Sequence, residues 1–334
     1  MKHKRKIIIA LLLLFVVICG TVILLNLNRL LTIMSLKKVD DYPLYYMRYY
    51  GDYNLDYSPV DDNYQPIDFD SAATDSNTVM CSSFFAKNEN GDPLFCRNLD
   101  YTLLGHPITV LLTDSPGKNS SLSMADLFYL GYNKDNPPNK SLFNNSLLIA
   151  PRITIDGVNE YGLAIASLTV PHAEPPFDSE KPSTDEVGMI RLVLDNATTV
   201  DEAVEKIKDY NMVFHSELIH YMIADASGES AIIEYIDGKI VLHRTDEPWQ
   251  ACTNFIFSLE SSNKYCERYD KAIERLEEKK GILSEEDAMQ LLSDVTQDGT
   301  VWSVVYNLKT GETYIVMGKN FDNVLEFDLN MINE

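Results

Sequence analysis

The stretch Thr78-Val-Met-Cys-Ser-Ser-Phe-Phe-Ala-Lys-Asn-Glu-Asn-Gly-Asp-Pro-Leu-Phe-Cys-Arg-Asn-Leu-Asp-Tyr101 reads as a β-hairpin. An apolar strand runs through Phe85, Asn88 to Pro93 supply the turn, and a second strand starts at Leu94. Pairing the strands brings Cys81 near Arg97 and Asp100. A thiol, a guanidinium and a carboxylate then share one place. Arg97 favours the thiolate, the reactive form of cysteine. Asp100 can hold an amine or orient the thiol. The plain alternative is a structural hairpin with a buried thiol.

Upstream of the hairpin the composition changes twice. Residues 1–6 are basic, and Ile7 to Asn28 contains no charge. A helix of about 20 such residues spans a bilayer core, and no small-x-small cleavage pattern follows it. This predicts a cytoplasmic tail over 1–6 and a single transmembrane helix over 7–28, with the body outside the cell membrane. A juxtamembrane segment or propeptide follows over 29–80. It holds eight tyrosines between Tyr42 and Tyr64, too many aromatics for a fully disordered linker. Ser71 to Thr78 is small and polar, like an exposed, cleavable connection.

The whole chain of 334 residues carries a net charge of −22. Residues 1–39 contain basic residues and no acid, so the body is more negative still. Such a surface repels phosphate backbones, which argues against nucleic acid as a partner.

Downstream of the hairpin, strands and helices alternate in blocks. Ile108 to Thr113 reads as a strand and Ser123 to Tyr132 as a short helix. Leu147 to Val170 reads as strand, turn, strand. Helices follow at Val187 to Leu194 and after Thr199, where Thr199-Val-Asp-Glu202 forms a capping box. Ile219 to Ala224, Ser230 to Ile236 and Lys239 to Arg244 form a β-meander. Helices at Lys264 to Glu278 and Ser284 to Val295 precede a last hairpin, Thr300 to Asn307 and Thr313 to Met317. Strands, helices, strands, helices, strands predict an α+β fold, an αββα four-layer sandwich over 81–334.

Cys81, with Arg97 and Asp100 following in Cys96-Arg97-Asn98-Leu99-Asp100, resembles the start of the mature choloylglycine hydrolase and penicillin V acylase family. Asn159-Glu-Tyr-Gly-Leu163, the pair Thr253-Asn254, Arg268 before a tyrosine, and Trp302-Ser303 extend the resemblance across most of residues 81–320. It implies an N-terminal-nucleophile (Ntn) cysteine hydrolase of linear amides. In that family the cysteine is the first residue of the mature chain and its own α-amino group is the base. The resemblance further implies that Asn254 is an oxyanion donor and Arg268 a second active-site arginine. Where family members carry an asparagine this chain has Thr169, which leaves only a backbone N–H as donor there. The glycine that usually precedes the arginine is Cys96. The expected partner is a small N-acyl amide, with no cofactor and no metal.

Other readings compete. Ser261-x-x-Lys264 and Lys309-Thr-Gly311 imitate a penicillin-binding serine acylase, but no Ser-x-Asn lies between them. Four cysteines without a Cys-x-x-Cys pair make a weak metal site. A Cys252–Cys266 disulfide is an option outside the membrane. An acyltransferase of the same fold, or an anchored non-catalytic binding protein, completes the alternatives.

Overall fold

The structure is a computed structural model that describes residues 20, 26–53, 79–101, 104–141, 145–215, 217–259 and 265–330. Most of the anchor expected over 7–28 and the polar connection before Val79 lie outside the described residues. Among the described residues no helix is long and apolar enough to cross a membrane.

The chain runs through α1 (Leu27–Ser35), β1 (Lys37–Lys38), β2 (Leu44–Tyr50), β3 (Val79–Lys87), β4 (Pro93–Tyr101), β5 (Ile108–Asp114), β6 (Ser121–Asp126), β7 (Thr154–Asn159) and β8 (Ala164–Thr169). It continues through β9 (Ser183–Asp185), α2 (Glu186–Asn196), α3 (Val200–Lys208), β10 (Asn211–Val213), β11 (Ile219–Ala224), β12 (Ser230–Ile236), β13 (Lys239–His243) and β14 (Gln250–Cys252). Last come α4 (Glu267–Glu278), α5 (Glu285–Asp294), β15 (Thr300–Asn307), β16 (Glu312–Met317) and β17 (Leu325–Asp328). The two large sheets have nine strands in the order β1-β2-β5-β6-β7-β8-β11-β12-β13 and six in the order β14-β3-β4-β15-β16-β17, and β9 and β10 pair in parallel as a separate two-stranded sheet.

Alternation along each strand builds the layers, because successive side chains point to opposite faces. On β3, Cys81 and Phe85 enter the core between the sheets, whereas Phe84 and Ala86 face α4 and α5. On β11, Met222 and Ala224 point inward, while Tyr221 and Ile223 meet α2 and α3. Leu276, Leu291 and Leu292 seal the helical layer over the six-stranded sheet. Each such buried side chain contributes about 1.5–3 kcal/mol. The expected caps are present: Thr199 Oγ1 accepts from Glu202 N at 3.2 Å and Ser284 Oγ from Asp287 N at 3.0 Å. The result is the αββα sandwich. Gly162 turns β7 into β8 with φ of +76°, and a Cβ there would lie 1.9 Å from the carbonyl oxygen of Leu308, in the turn just after β15. Only glycine fits that contact.

Three details differ from the sequence reading. Ser123 to Asp126 belongs to β6, and only Leu127–Leu130 is helical, as a 3-10 turn. The period-two burial of Leu122 and Met124 against Ala125 wins over the helical reading. Ser146–Ile153 is a 3-10 helix with Pro151 inside it, rather than a strand. Most consequentially, β2 pairs in parallel with β5, from Leu44 opposite Ile108 to Tyr50 opposite Asp114. Tyr45, Met47, Tyr49 and Tyr53 are buried in one cluster with Leu111. The tyrosine-rich segment therefore supplies a strand and part of the core, and the Met80–Cys81 boundary runs inside one folded unit.

Candidate active site

Cys81 lies near the start of β3 on the inner face, 1% exposed. Its register partner on β4 is Leu99, and Arg97 opposes Ser83. Arg97 thus shares the Cys81 face, one diagonal step away, with Nη2 at 3.5 Å from Sγ. The other Arg97 bonds immobilise the guanidinium. Nη1 donates to Asp156 Oδ2 at 2.8 Å and to the Ile155 carbonyl at 2.9 Å, and Nη2 donates to the Ser167 carbonyl at 2.7 Å. Asp156 also accepts from Trp302 Nε1 at 3.1 Å and Tyr306 Oη at 2.5 Å. Asp156 went unrecognised in the sequence, where Asp156-Gly157 reads as a candidate bend. The usable signal was a carboxylate in phase with inward-facing positions of a buried strand.

Arg97 was expected to bias the thiol toward thiolate. In the intact chain it does not prevail. Burial pushes the Cys81 thiol up, the Asp100 charge adds to this, and Arg97 only partly offsets the two.

Asp100 pairs across the ladder with Met80, so its side chain lies on the opposite face from the Cys81 thiol. Oδ1 accepts from Thr300 Oγ1 at 2.6 Å, and Oδ2 lies 3.9 Å from Arg268 Nη1. Burial raises its pKa to about 6, moderated by Thr300 and Arg268.

Asn254, in the loop after β14, bridges both sheets. Its Oδ1 accepts from the Cys81 backbone N–H at 2.8 Å and from Arg268 Nη2 at 2.9 Å, and its Nδ2 donates to the Thr169 carbonyl at 2.8 Å. Two donors at one end and an acceptor at the other fix the amide orientation. Arg268, on the first turn of α4, also donates to the Cys81 carbonyl at 2.5 Å and to Ser82 Oγ at 2.9 Å. Val170 N bonds the Leu218 carbonyl at 2.8 Å. The polar backbone groups of Thr169 therefore point away from β11, toward Asn254. It is the Thr169 carbonyl that engages Asn254.

All six expected residues thus meet around one peptide bond, with Asp100 on its far face. A small cavity of about 60 Å³ is bounded by Cys81, Arg97, Tyr101, Tyr129, Thr169 and Ile219. On the other side a cavity of about 560 Å³ is lined by Met80, Asn254, Phe255 and Arg268. Met80 is 41% exposed there. The Met80–Cys81 bond lies in the wall between them. Cys252 and Cys266 are both free thiols, so the optional disulfide is not formed.

A four-layer sandwich with this cysteine on an inner strand is an Ntn-hydrolase-like fold. A variant of conjugated bile acid hydrolase from Clostridium perfringens shares it, with TM-score 0.55 and 17% identity over 75% of this chain and 93% of that one. Penicillin V acylase from Agrobacterium tumefaciens does too, with TM-score 0.52 and 21% identity over 74% and 86%. In sequence, residues 81–271 match the linear amide C–N hydrolases, choloylglycine hydrolase family, and the chain belongs to that family. A penicillin V acylase of Pectobacterium atrosepticum is 38% identical over 113 residues, which span 30% of this chain and 30% of that protein.

Proposed function

We propose that this protein is a cysteine-nucleophile hydrolase of linear N-acyl amides, made as a precursor and activated by cleavage between Met80 and Cys81. One observation carries the reading: Asn254 holds the Cys81 nitrogen while Arg97 contacts the Cys81 sulfur. Nitrogen and sulfur of one residue are thereby both fixed at the edge of a cavity.

While Met80 is attached, that nitrogen is an amide and cannot take a proton. Cleavage makes it an α-amine, whose ordinary pKa is about 8. The amine then removes the thiol proton as Sγ attacks the substrate carbonyl. One Asn254 Nδ2 hydrogen is used on Thr169 and the second is available for the oxyanion, with the Thr169 N–H beside it. The amine returns the proton to the leaving nitrogen, and water hydrolyses the thioester. Asp100 and Asn254 orient the amine, Arg97 supports the thiolate, and Arg268 fixes the Cys81 carbonyl.

The uncharged run Ile7 to Asn28 supports a membrane anchor, and the basic residues 1–6 before it support a body outside the cytoplasm. The test is hydrolysis of a panel of N-acyl amides, penicillin V and conjugated bile acids included. Mature protein and its Cys81→Ala variant are compared by product analysis. Cleavage by the first and not the second supports the reading, and equal rates reject it.

A further inference from the structure

Asn254 stands in a loop without regular structure, between β14 and the segment before α4. Three adjacent strands of the other sheet grip that loop. His220 on β11 donates from Nε2 to the Thr253 carbonyl at 2.8 Å. Glu234 on β12 accepts from Phe257 N at 2.6 Å, Ser258 N at 3.0 Å and Ser258 Oγ at 2.5 Å. His243 on β13 adds Nε2 to Glu234 Oε2 at 2.9 Å, and His220 Nδ1 lies 3.7 Å from Glu234 Oε1. The loop is thus fastened one residue before Asn254 and three and four residues after it.

We propose that Glu234 and His220 are positioning residues, which hold the Asn254 loop so that the Asn254 amide meets Cys81 and the substrate carbonyl. This rests on the reading of Asn254 as oxyanion donor. A buried carboxylate is costly unless fully bonded. Burial alone would raise the Glu234 pKa, but the nearby His220 ring, with hydrogen bonds from His243, Ser258 and the Phe257 N–H, outweighs it and holds the carboxyl well below its usual range. Glu234 and His220 are 2% and 1% exposed, and Met222 and Ile232, which share their inward face, are apolar. Apolar residues there would stabilise the fold at least as well. What the polar set adds is a fixed loop geometry. The Cys252 thiol, 3.3 Å from His220 Nε2, is not a second nucleophile: unlike Cys81 it lines neither of the two cavities beside the Met80–Cys81 bond.

The test is a double-mutant cycle on the mature enzyme, with kcat and KM measured for an N-acyl amide that it cleaves. Asn254→Ala is expected to lower kcat about 10²–10³-fold. Glu234→Gln, which turns an amide N–H toward the loop's donors, is expected to lower kcat about 10–10²-fold with KM nearly unchanged. Because Glu234 acts through Asn254, the double variant is expected to be no slower than Asn254→Ala alone. Ser258→Ala removes one bond to Glu234 and covers the case in which Glu234→Gln does not fold. It is expected to cause a smaller kcat loss, likewise absorbed by Asn254→Ala. Losses that multiply, or full kcat in both Glu234→Gln and Ser258→Ala, overturn the proposal. Full kcat in Asn254→Ala removes the underlying reading instead, and the proposal with it.

Discussion

The backbone nitrogen of Cys81 donates to Asn254 Oδ1 at 2.8 Å, which joins residues 173 apart in the chain. With Met80 attached, this bond uses the one hydrogen the nitrogen has. In the proposed mechanism cleavage adds hydrogens and a basic lone pair at the same point. Asp100 Oδ2, buried without a hydrogen bond, is then a ready acceptor for the new amine. In that mechanism the uncleaved site is a precursor: its acceptors are present and its base is not yet made.

Cys81→Ala and Cys81→Ser are expected to abolish or severely reduce amidase activity, with the Cys81→Ser hydroxyl far weaker as a nucleophile. Cys266→Ala is expected to retain activity, because that half-exposed thiol has no part in the chemistry. Initial rates on one N-acyl amide check both statements, and an active Cys81→Ala enzyme contradicts the nucleophile.

Asp156→Asn is expected to destabilise the protein by about 3–5 kcal/mol, the usual cost of leaving one member of a buried ion pair without its partner. Arg97 is 1% exposed and Asp156 fully buried, so water cannot replace the lost charge. Urea unfolding measures the change. A loss below about 1 kcal/mol would mean that Arg97 finds another partner.

Asp100 makes stability depend on pH. Its folded pKa, about 6, lies above the unfolded value of about 3.9. The folded state therefore binds more protons between these values, and its stability falls as pH rises through that window. Asp100→Asn abolishes the titration while keeping an acceptor for Thr300. Relative to that variant, the wild-type precursor is expected to lose about 2–3 kcal/mol between pH 4 and pH 7. Parallel stability curves for the two would contradict this.

Cleavage at Met80 is not expected to release the N-terminal fragment. β2 is hydrogen-bonded to β5 along its length, and Leu44 and Met47 are fully buried. Gel filtration of cleaved protein should give one peak holding both pieces, separable only in denaturant. A peak of residues 81–334 alone would show that β2 is dispensable.

The hairpin, the β-meander and the capped helices were legible because each rests on local chemistry: turn residues, alternation, a hydroxyl at an N-cap. Cys81 with Arg97 was legible for the same reason, since both lie on one hairpin. The roles of Asp156, His220 and Glu234 were not. They meet the site through contacts between sheets, and no local pattern marks a carboxylate whose partners are far away in sequence. The tyrosine segment hid its strand differently. β2 pairs in parallel with a strand far along the chain, so no turn announces the pairing, and the tyrosines that argued against a disordered linker did not say what they pack on.

The most direct measurement is the N-terminal sequence and intact mass of the active protein. The account predicts that the chain carrying amidase activity begins at Cys81, and that a separate N-terminal fragment ending at Met80 accompanies it. An active species with Cys81 still joined to Met80 would contradict the central claim, because its Cys81 nitrogen would be an amide that cannot accept the thiol proton.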